Sequence, residues 1–238
     1  LYMRIAVLNY SGNVGKTTIS QHMLLPRLNY EILRIETLNS DGEGNGQKMA
    51  AEDFDKIFNT ILNLDDVIID VGSSNIETFK SKLTFDFAGS HSFIDYFIIP
   101  VTPDAKQQID TIKTIIEFIE LGVACEKIKV IFNRVNIKKD IKEQFSTILK
   151  SEELKSVCFE ITEDTPCISD STLFKTLERA NLTYNNVKDY PTISELDEQL
   201  AGKTGKEKIV LELQKFYKLG FNSYQKQMQH AFDALNII

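Results

Sequence analysis

The chain has 238 residues, 42% hydrophobic and 26% charged, the balance of an ordinary globular protein with enough length for one large core. A formal net charge of −7 excludes binding to nucleic acid through total charge and leaves room only for a local basic patch. No apolar run approaches the roughly 18 residues of a membrane span, and Cys125, Cys158 and Cys167 form no C-x-x-C pair, so with no signal peptide they are expected to be reduced thiols of a cytoplasmic protein.

Leu1-Tyr2 ahead of Met3 reads as an expression remnant. Arg4 to Leu8 is a short apolar run that predicts a strand buried on both faces. The loop Asn9-Tyr10-Ser11-Gly12-Asn13-Val14-Gly15-Lys16-Thr17-Thr18 follows. A helix is predicted from Thr17 to about Leu28, with Ile19, Met23 and Leu24 on one face and Pro26 ending or kinking it. Glu31 to Thr37 predicts a second strand, and Leu38 to Gln47, with three glycines, a mobile loop. Ala50 to Asn63 predicts an amphipathic helix with Phe54, Ile57, Phe58, Ile61 and Leu62 inward.

Strands are predicted at Asp66–Val71, Tyr96–Val101, Lys127–Phe132 and Val157–Ile161. Helices are predicted after Gly72-Ser73-Ser74-Asn75, over Asp104–Leu121 with Ile109, Ile112, Ile115, Ile116 and Ile119 buried, and over Ile137–Leu149. Buried strands alternating with helices predict a doubly wound, mostly parallel α/β sheet with right-handed crossovers. The remainder reads as a helix at Leu173–Leu182, a polar loop and short helix over Tyr184–Leu200, and two helices, Lys206–Leu219 and Phe221–Leu235, parted by Gly220. The expectation is a single domain over 3–238, with 203–238 a helical extension packed on it. That extension carries Lys203, Lys206, Lys208, Lys215, Lys218 and Lys226 and is the one locally basic stretch. Its Phe221, Tyr224, Met228, Phe232 and Leu235 recur at helical spacing and read as a packing face rather than a membrane-binding one. His22, His91 and His230 each stand without a second metal-type ligand nearby.

Ligands of an open parallel sheet sit at the carboxyl ends of its strands. Ser11 to Thr18, Asn39 to Gly46, Asp70 to Asn75, Asn133-Arg134 and Ile161 to Pro166 are all expected at that edge. A glycine-rich loop between strand and helix turns its amides toward a phosphate, and the helix adds its positive end. In this reading Lys16 reaches the β- and γ-phosphates, the Thr17 hydroxyl ligates Mg²⁺, Thr18 holds the α-phosphate, and Asp70 holds Mg²⁺ through a water. The usual G-x-x-x-x-G-K-[ST] is not met, because Tyr10 stands at the first glycine.

Read from Ser11, the loop is similar to the variant phosphate loop K-G-G-x-G-K-T-T of the ParA/MinD class of ATPases, matching at Gly12, Val14, Gly15, Lys16, Thr17 and Thr18. Asp70-Val71-Gly72-Ser73-Ser74 resembles that family's D-x-P-x-G switch without its proline. Asn133-Arg134 resembles its N-R pair, whose Asn reads the adenine edge, and Ile161-Thr162-Glu163-Asp164 its I-P-E-D loop over the adenine. The likeness runs from Met3 to about Leu182. Within the family, the loop, Glu36 to Gly42 and Asp70 to Asn75 most resemble the StbB plasmid-stability and TraL conjugation-region proteins.

The resemblance implies ATP or ADP with Mg²⁺ as cofactors, with Ser11, Gly12, Asn13, Val14, Gly15, Lys16, Thr17, Thr18, Asn133, Arg134, Thr162, Glu163 and Asp164 around the nucleotide. It implies an ATPase switch in plasmid stability or partition. Its partners would be a nucleotide-dependent second copy and a DNA-binding partition protein, with direct non-specific DNA contact through the basic extension as a further candidate. Two departures qualify it. The family's signature lysine falls at Ser11, which cannot neutralise developing phosphate charge. The water-orienting aspartate of the first switch has Leu38 near its place, with Asp41, then Asn39, as substitutes. The alternative is therefore a weakly hydrolysing or non-hydrolysing regulatory subunit in conjugative transfer. A small-molecule kinase would need an arginine-rich lid that Arg4, Arg27, Arg34, Arg134 and Arg179 do not form in sequence.

Overall fold

The computed structural model describes residues 2–36 and 46–237. Among them are seven strands, β1 (Arg4–Val7), β2 (Glu31–Ile35), β3 (Gln47–Met49), β4 (Val67–Val71), β5 (Tyr96–Val101), β6 (Ile128–Val135) and β7 (Cys167–Ser169). They form one sheet in the order β3-β2-β4-β1-β5-β6-β7, and every pair is parallel. The central strands are apolar along their whole length because helices cover both faces, as parallel sheets require. Ile5, Ala6, Val7, Ile68, Ile69, Ile98 and Ile99 are fully buried. The sheet's order reverses at β1, so its carboxyl end, where the phosphate loop begins, is the topological switch point where such sheets bind ligands.

Helices α1 (Lys16–Thr18) and α2 (Leu25–Leu28) are joined by a π-helical segment, Ile19–Leu24. The cause lies at Pro26, which has no N–H to give the preceding turn. The Leu25 N–H bonds Ser20 O in the wider register, and the Arg27 guanidinium donates to His22 O at 3.1 Å and Met23 O at 2.9 Å. Pro26 thus neither ends the helix nor leaves its carbonyls unmet.

Helix α3 (Phe54–Asn63) starts later than the predicted Ala50. It buries Phe54, Ile57, Phe58 and Ile61 as expected, but Leu62 faces outward. Next come α4 (Ile76–Ser81) and α5 (Ala105–Glu120). Helix α5 departs from the aliphatic pattern. Ile109 is 58% exposed, while Gln108, Thr111 and Thr114 are buried beside Ile112, Ile115 and Phe118. The helix has rotated so that a polar stripe meets the phosphate loop.

The predicted helix after β6 is two short helices, α6 (Ile141–Gln144) and α7 (Ser146–Leu149), followed by α8 (Glu152–Ser156). The predicted strand at Val157–Ile161 does not form, and the last strand is β7, downstream of it. The edge strand β3 was not legible from its sequence, Gln-Lys-Met. It pairs with β2 because Gly46, at φ +118°, lets the chain approach Ile32; a Cβ there would stand 2.4 Å from Ile32 O.

Contacts divide the chain into two units, one of residues up to Ser169 together with Ala231 onward, the other Asp170–His230. The second unit holds α9 (Leu173–Arg179), α10 (Tyr184–Lys188), α11 (Ile193–Leu200) and most of α12 (Gly205–Leu235). Thr183 and Thr192 open α10 and α11 with capping boxes to Asn186 and Glu195, which makes helices of a stretch read as mostly loop. Gly220 does not break α12. A single helical glycine costs about 1 kcal/mol, and its bare Cα lets Leu173 approach. No helix among the described residues is long and apolar enough to cross a membrane.

Candidate functional site

The loop after β1 is shaped by two left-handed residues. Asn13 takes φ 59° and Gly15 φ 97°. Asn tolerates that region; at Gly15 a Cβ would lie 2.2 Å from Asn133 Nδ2. The Asn133 amide in turn donates to Val14 O at 2.8 Å. The carboxyl end of β6 therefore pins the loop from one side. Arg134 follows at φ 57°, in an irregularity of the β6–β7 pairing, and is exposed.

Lys16 is buried and folded back along the loop. Its Nζ donates to Ser11 O at 2.7 Å and Asn9 O at 3.1 Å. These carbonyl oxygens stand where phosphate oxygens would compete for the same ammonium. Burial lowers the Lys16 pKa to about 8, with Asp70 acting against the shift. Asp70, at the end of β4, is also buried, and burial raises its carboxyl to about 6 against the pull of the Thr17 hydroxyl, Arg34 and Lys16. Asp70 Oδ2 has no hydrogen-bond partner. A buried carboxylate oxygen left unpaired is costly, and a hard cation would meet its need. The Thr17 hydroxyl and the Asp70 carboxylate are oxygen donors of the kind Mg²⁺ takes.

Arg34 and Glu36 belong to this cluster and were missed by sequence reasoning. Register puts Arg34 beside Asp70. Its guanidinium pairs with Glu36 at 2.6 Å, and Lys48 stands 3.8 Å from the same carboxylate. The available signal was an arginine inside the apolar run EILRIE, where a buried charge needs a partner.

Helix α5 grips the loop's other side. Asn9 Nδ2 donates to Thr111 Oγ1 at 2.7 Å and Pro100 O at 2.9 Å. Gln107 Nε2 donates to Gly12 O at 3.3 Å, and the Ser11 hydroxyl donates to Asp110. The Tyr10 hydroxyl donates to Glu117, which Lys80 of α4 also reaches, and the Lys113 ammonium lies 4.6 Å from the Tyr10 ring centre. Burial and Glu117 hold the Tyr10 hydroxyl well above the usual tyrosine range. Gln107, Asp110, Thr111, Thr114 and Glu117 recur at three- and four-residue spacing, a helical stripe that the aliphatic pattern concealed. Tyr10, out of place in the ordinary loop motif, is the anchor of this contact.

Of the expected site residues, Ser11 to Thr18, Asp70 and Asn133-Arg134 gather at the carboxyl edge, where a Cβ on Gly12 would also meet Ser73 Oγ at 3.5 Å. Thr162, Glu163 and Asp164 do not follow a strand. They form a turn leading into β7, closed by Thr165 N–H to Thr162 O at 3.1 Å, and Glu163 pairs with Lys142 at 2.8 Å. The expectation that this loop leaves the carboxyl edge is thereby corrected, because the strand placed before it lies after it. Asp41, Asn39 and Leu38 lie outside the described residues. A groove of about 250 Å³ lined by Ile128, Val130, Phe159, Ile161 and Leu235 shares no residue with the loop. Among the described residues no group of three His, Cys, Asp or Glu could hold a metal.

A seven-stranded parallel sheet covered by helices, with a glycine-rich loop at the switch point, is the P-loop NTPase fold in its ParA/MinD-like form. Several solved structures are similar to the chain. A protein assigned to plasmid partition from Borrelia burgdorferi, bound to AMPPNP, matches with 12% identity over 98% of each chain and a TM-score of 0.50. The cell division ATPase MinD of Pyrococcus furiosus matches with 11% identity over 96% of this chain and 99% of its own, TM-score 0.47. MinD of Aquifex aeolicus matches with 18% identity over 74% and 86%, TM-score 0.44. No family model and no curated protein matches the chain.

Proposed function

We propose that this chain is a Mg²⁺- and ATP-binding switch protein of the ParA/MinD class, acting in plasmid stability or partition in the cytoplasm. The observation that carries the reading is the convergence of Gly15, Lys16, Thr17 and Asp70 at one sheet edge, with Asp70 Oδ2 buried and unpaired. Lys16 would leave its loop carbonyls for the β- and γ-phosphates. The amides of Gly12 to Thr18 would line the phosphates, and Thr17 and Asp70 would hold Mg²⁺, which would neutralise phosphate charge when bound. Asn133 and Arg134 are proposed for the adenine side, and Asp41 for orienting water. The AMPPNP in the Borrelia protein supports ATP as the ligand. Nucleotide would set the turn at Gly72 to Asn75, creating a surface for a second copy or a DNA-holding partition partner.

One observation favours the second reading, a nucleotide-binding subunit of conjugative transfer that hydrolyses slowly or not at all. The signature-lysine position is Ser11, and its hydroxyl is tied to the Asp110 carboxylate. That puts a negative charge where transition-state stabilisation calls for a positive one. Calorimetry with ATP and Mg²⁺ and phosphate release on the native chain and Lys16→Ala separate the cases. Native binding lost by at least about 100-fold in Lys16→Ala, with turnover above the variant's, supports the switch. Binding without turnover selects the second reading, and no binding by the native chain overturns both.

A further inference from the structure

The amino-terminal turns of α12 carry an apolar stripe unlike the rest of the helix. Ile209, Leu213 and Phe216 recur at i, i+4 and i+7 and are 56%, 48% and 60% exposed; Val210 and Leu219 flank them at 54% and 50%. Every residue from Thr204 to Val210 is exposed. Further along, the same helix is conventional, with Phe221, Tyr224 and Met228 buried. Two or three uncovered turns have little stability of their own in water. An apolar stripe of this extent marks a contact surface.

The charges beside the stripe narrow what covers it. Lys203 pairs with Glu207 at 2.6 Å, Lys208 with Glu212 at 3.6 Å, and Lys215 with Asp197. Lys218 is turned inward, its Nζ donating to Val187 O at 3.3 Å and Lys188 O at 2.7 Å. Four of the six lysines that make the stretch basic in sequence are thus paired or turned inward within its own unit. A polyanion or an anionic membrane would gain little from the two that remain, Lys206 and Lys226, whereas an apolar stripe edged by mostly paired charge suits a like surface.

We infer that the turns of α12 from Gly205 to Leu219 pair antiparallel with the same turns of a second copy of this chain. A two-fold interface uses one patch twice and must be self-complementary. The spacing Ile209, Leu213, Phe216 is the alternating four- and three-residue step that seats side chains of one helix between those of another. Antiparallel pairing opposes the two helix dipoles. Covering the five side chains on both copies removes on the order of 1,000 Å² from water, the lower bound of a specific interface, so the association is concentration-dependent and of micromolar strength. It needs no nucleotide, which separates it from the nucleotide-driven association proposed above.

Sedimentation velocity of the full chain in EDTA without nucleotide, over roughly 1 to 100 µM, tests it. The native chain is expected to pass from monomer to dimer across that range. Leu213→Glu and Phe216→Glu are expected to stay monomeric with unchanged helical circular dichroism, and Lys226→Glu, outside the stripe, to behave as native. A native monomer at the highest concentration overturns the inference and leaves the stripe to a different protein. Dimers that persist in both stripe variants, or native assemblies larger than a dimer, overturn it as well.

Discussion

Asp70 is the residue on which the site's chemistry and its cost meet. Burial raises its carboxyl from 3.8 to about 6, so the folded chain holds this proton more tightly than the unfolded one. Stability from keeping that proton is fully present below about pH 4 and is lost as pH climbs through 6. Asp70→Asn has no such loss. In urea titrations of ligand-free protein the variant should match the native chain at pH 4 and exceed it by about 2 kcal/mol at pH 7. A variant less stable at pH 7 would show that the Lys16 and Arg34 charges, rather than burial, dominate at Asp70. The same substitution should abolish the Mg²⁺ dependence of nucleotide binding, since an amide is a poor substitute for a carboxylate toward a hard cation.

At the scale of elements, α5 is the part that the hydrophobic pattern misdescribes. Its polar stripe joins the phosphate loop to α4 through Glu117, which receives the Tyr10 hydroxyl and the Lys80 ammonium. Helix α4 begins directly after the Gly72–Asn75 turn, so the bridge ties the loop after β1 to that turn. Glu117→Gln and Lys80→Met should each destabilise the fold by about 1 kcal/mol. Their effects should be non-additive in a double-mutant cycle by a similar amount, because both act on one partly buried carboxylate. Additive losses would mean that the Lys80–Glu117 pair contributes no coupling, as is common for surface pairs.

At the scale of the molecule, ligand energy should be distributed unevenly. The strands that bear the loop, Asp70 and Asn133 all lie in the unit made of the residues up to Ser169 and from Ala231 onward. A ligand that binds only the folded state stabilises it by about 2.7 kcal/mol at 100 times its Kd. Mg²⁺-ATP should therefore slow amide exchange in β1, β4 and β6 and leave α10 and α11 in the other unit unchanged. Lys16→Ala should remove the protection. Equal protection of both units would point to coupling that the site's own contacts do not contain.

Much of the fold was legible because its causes are local. The strands β1, β4 and β5 are apolar runs, and a strand buried on both faces has no other composition open to it. The turn from Ser11 to Thr18 between strand and helix was legible because Gly and Asn are the residues that accept the left-handed backbone found at Asn13 and Gly15. What tertiary structure alone decided has long-range causes. The edge strand β3 exists through pairing with β2, not through the propensity of Gln-Lys-Met. Strand β7 replaced the alternating run at Val157–Ile161 because β6 offers a partner at Phe132 and Val135, and alternation cannot state which segment reaches it. Ile109 and Leu62 face outward because the orientation of a helix is set by what it must satisfy across the interface. For α5 those demands came from the phosphate loop. The basic character of the last helix was likewise a property of sequence that folding reduced, by bringing Asp197 to Lys215 and backbone carbonyls to Lys218. Sequence determines which groups are available, and burial and pairing decide which of them remain free to act.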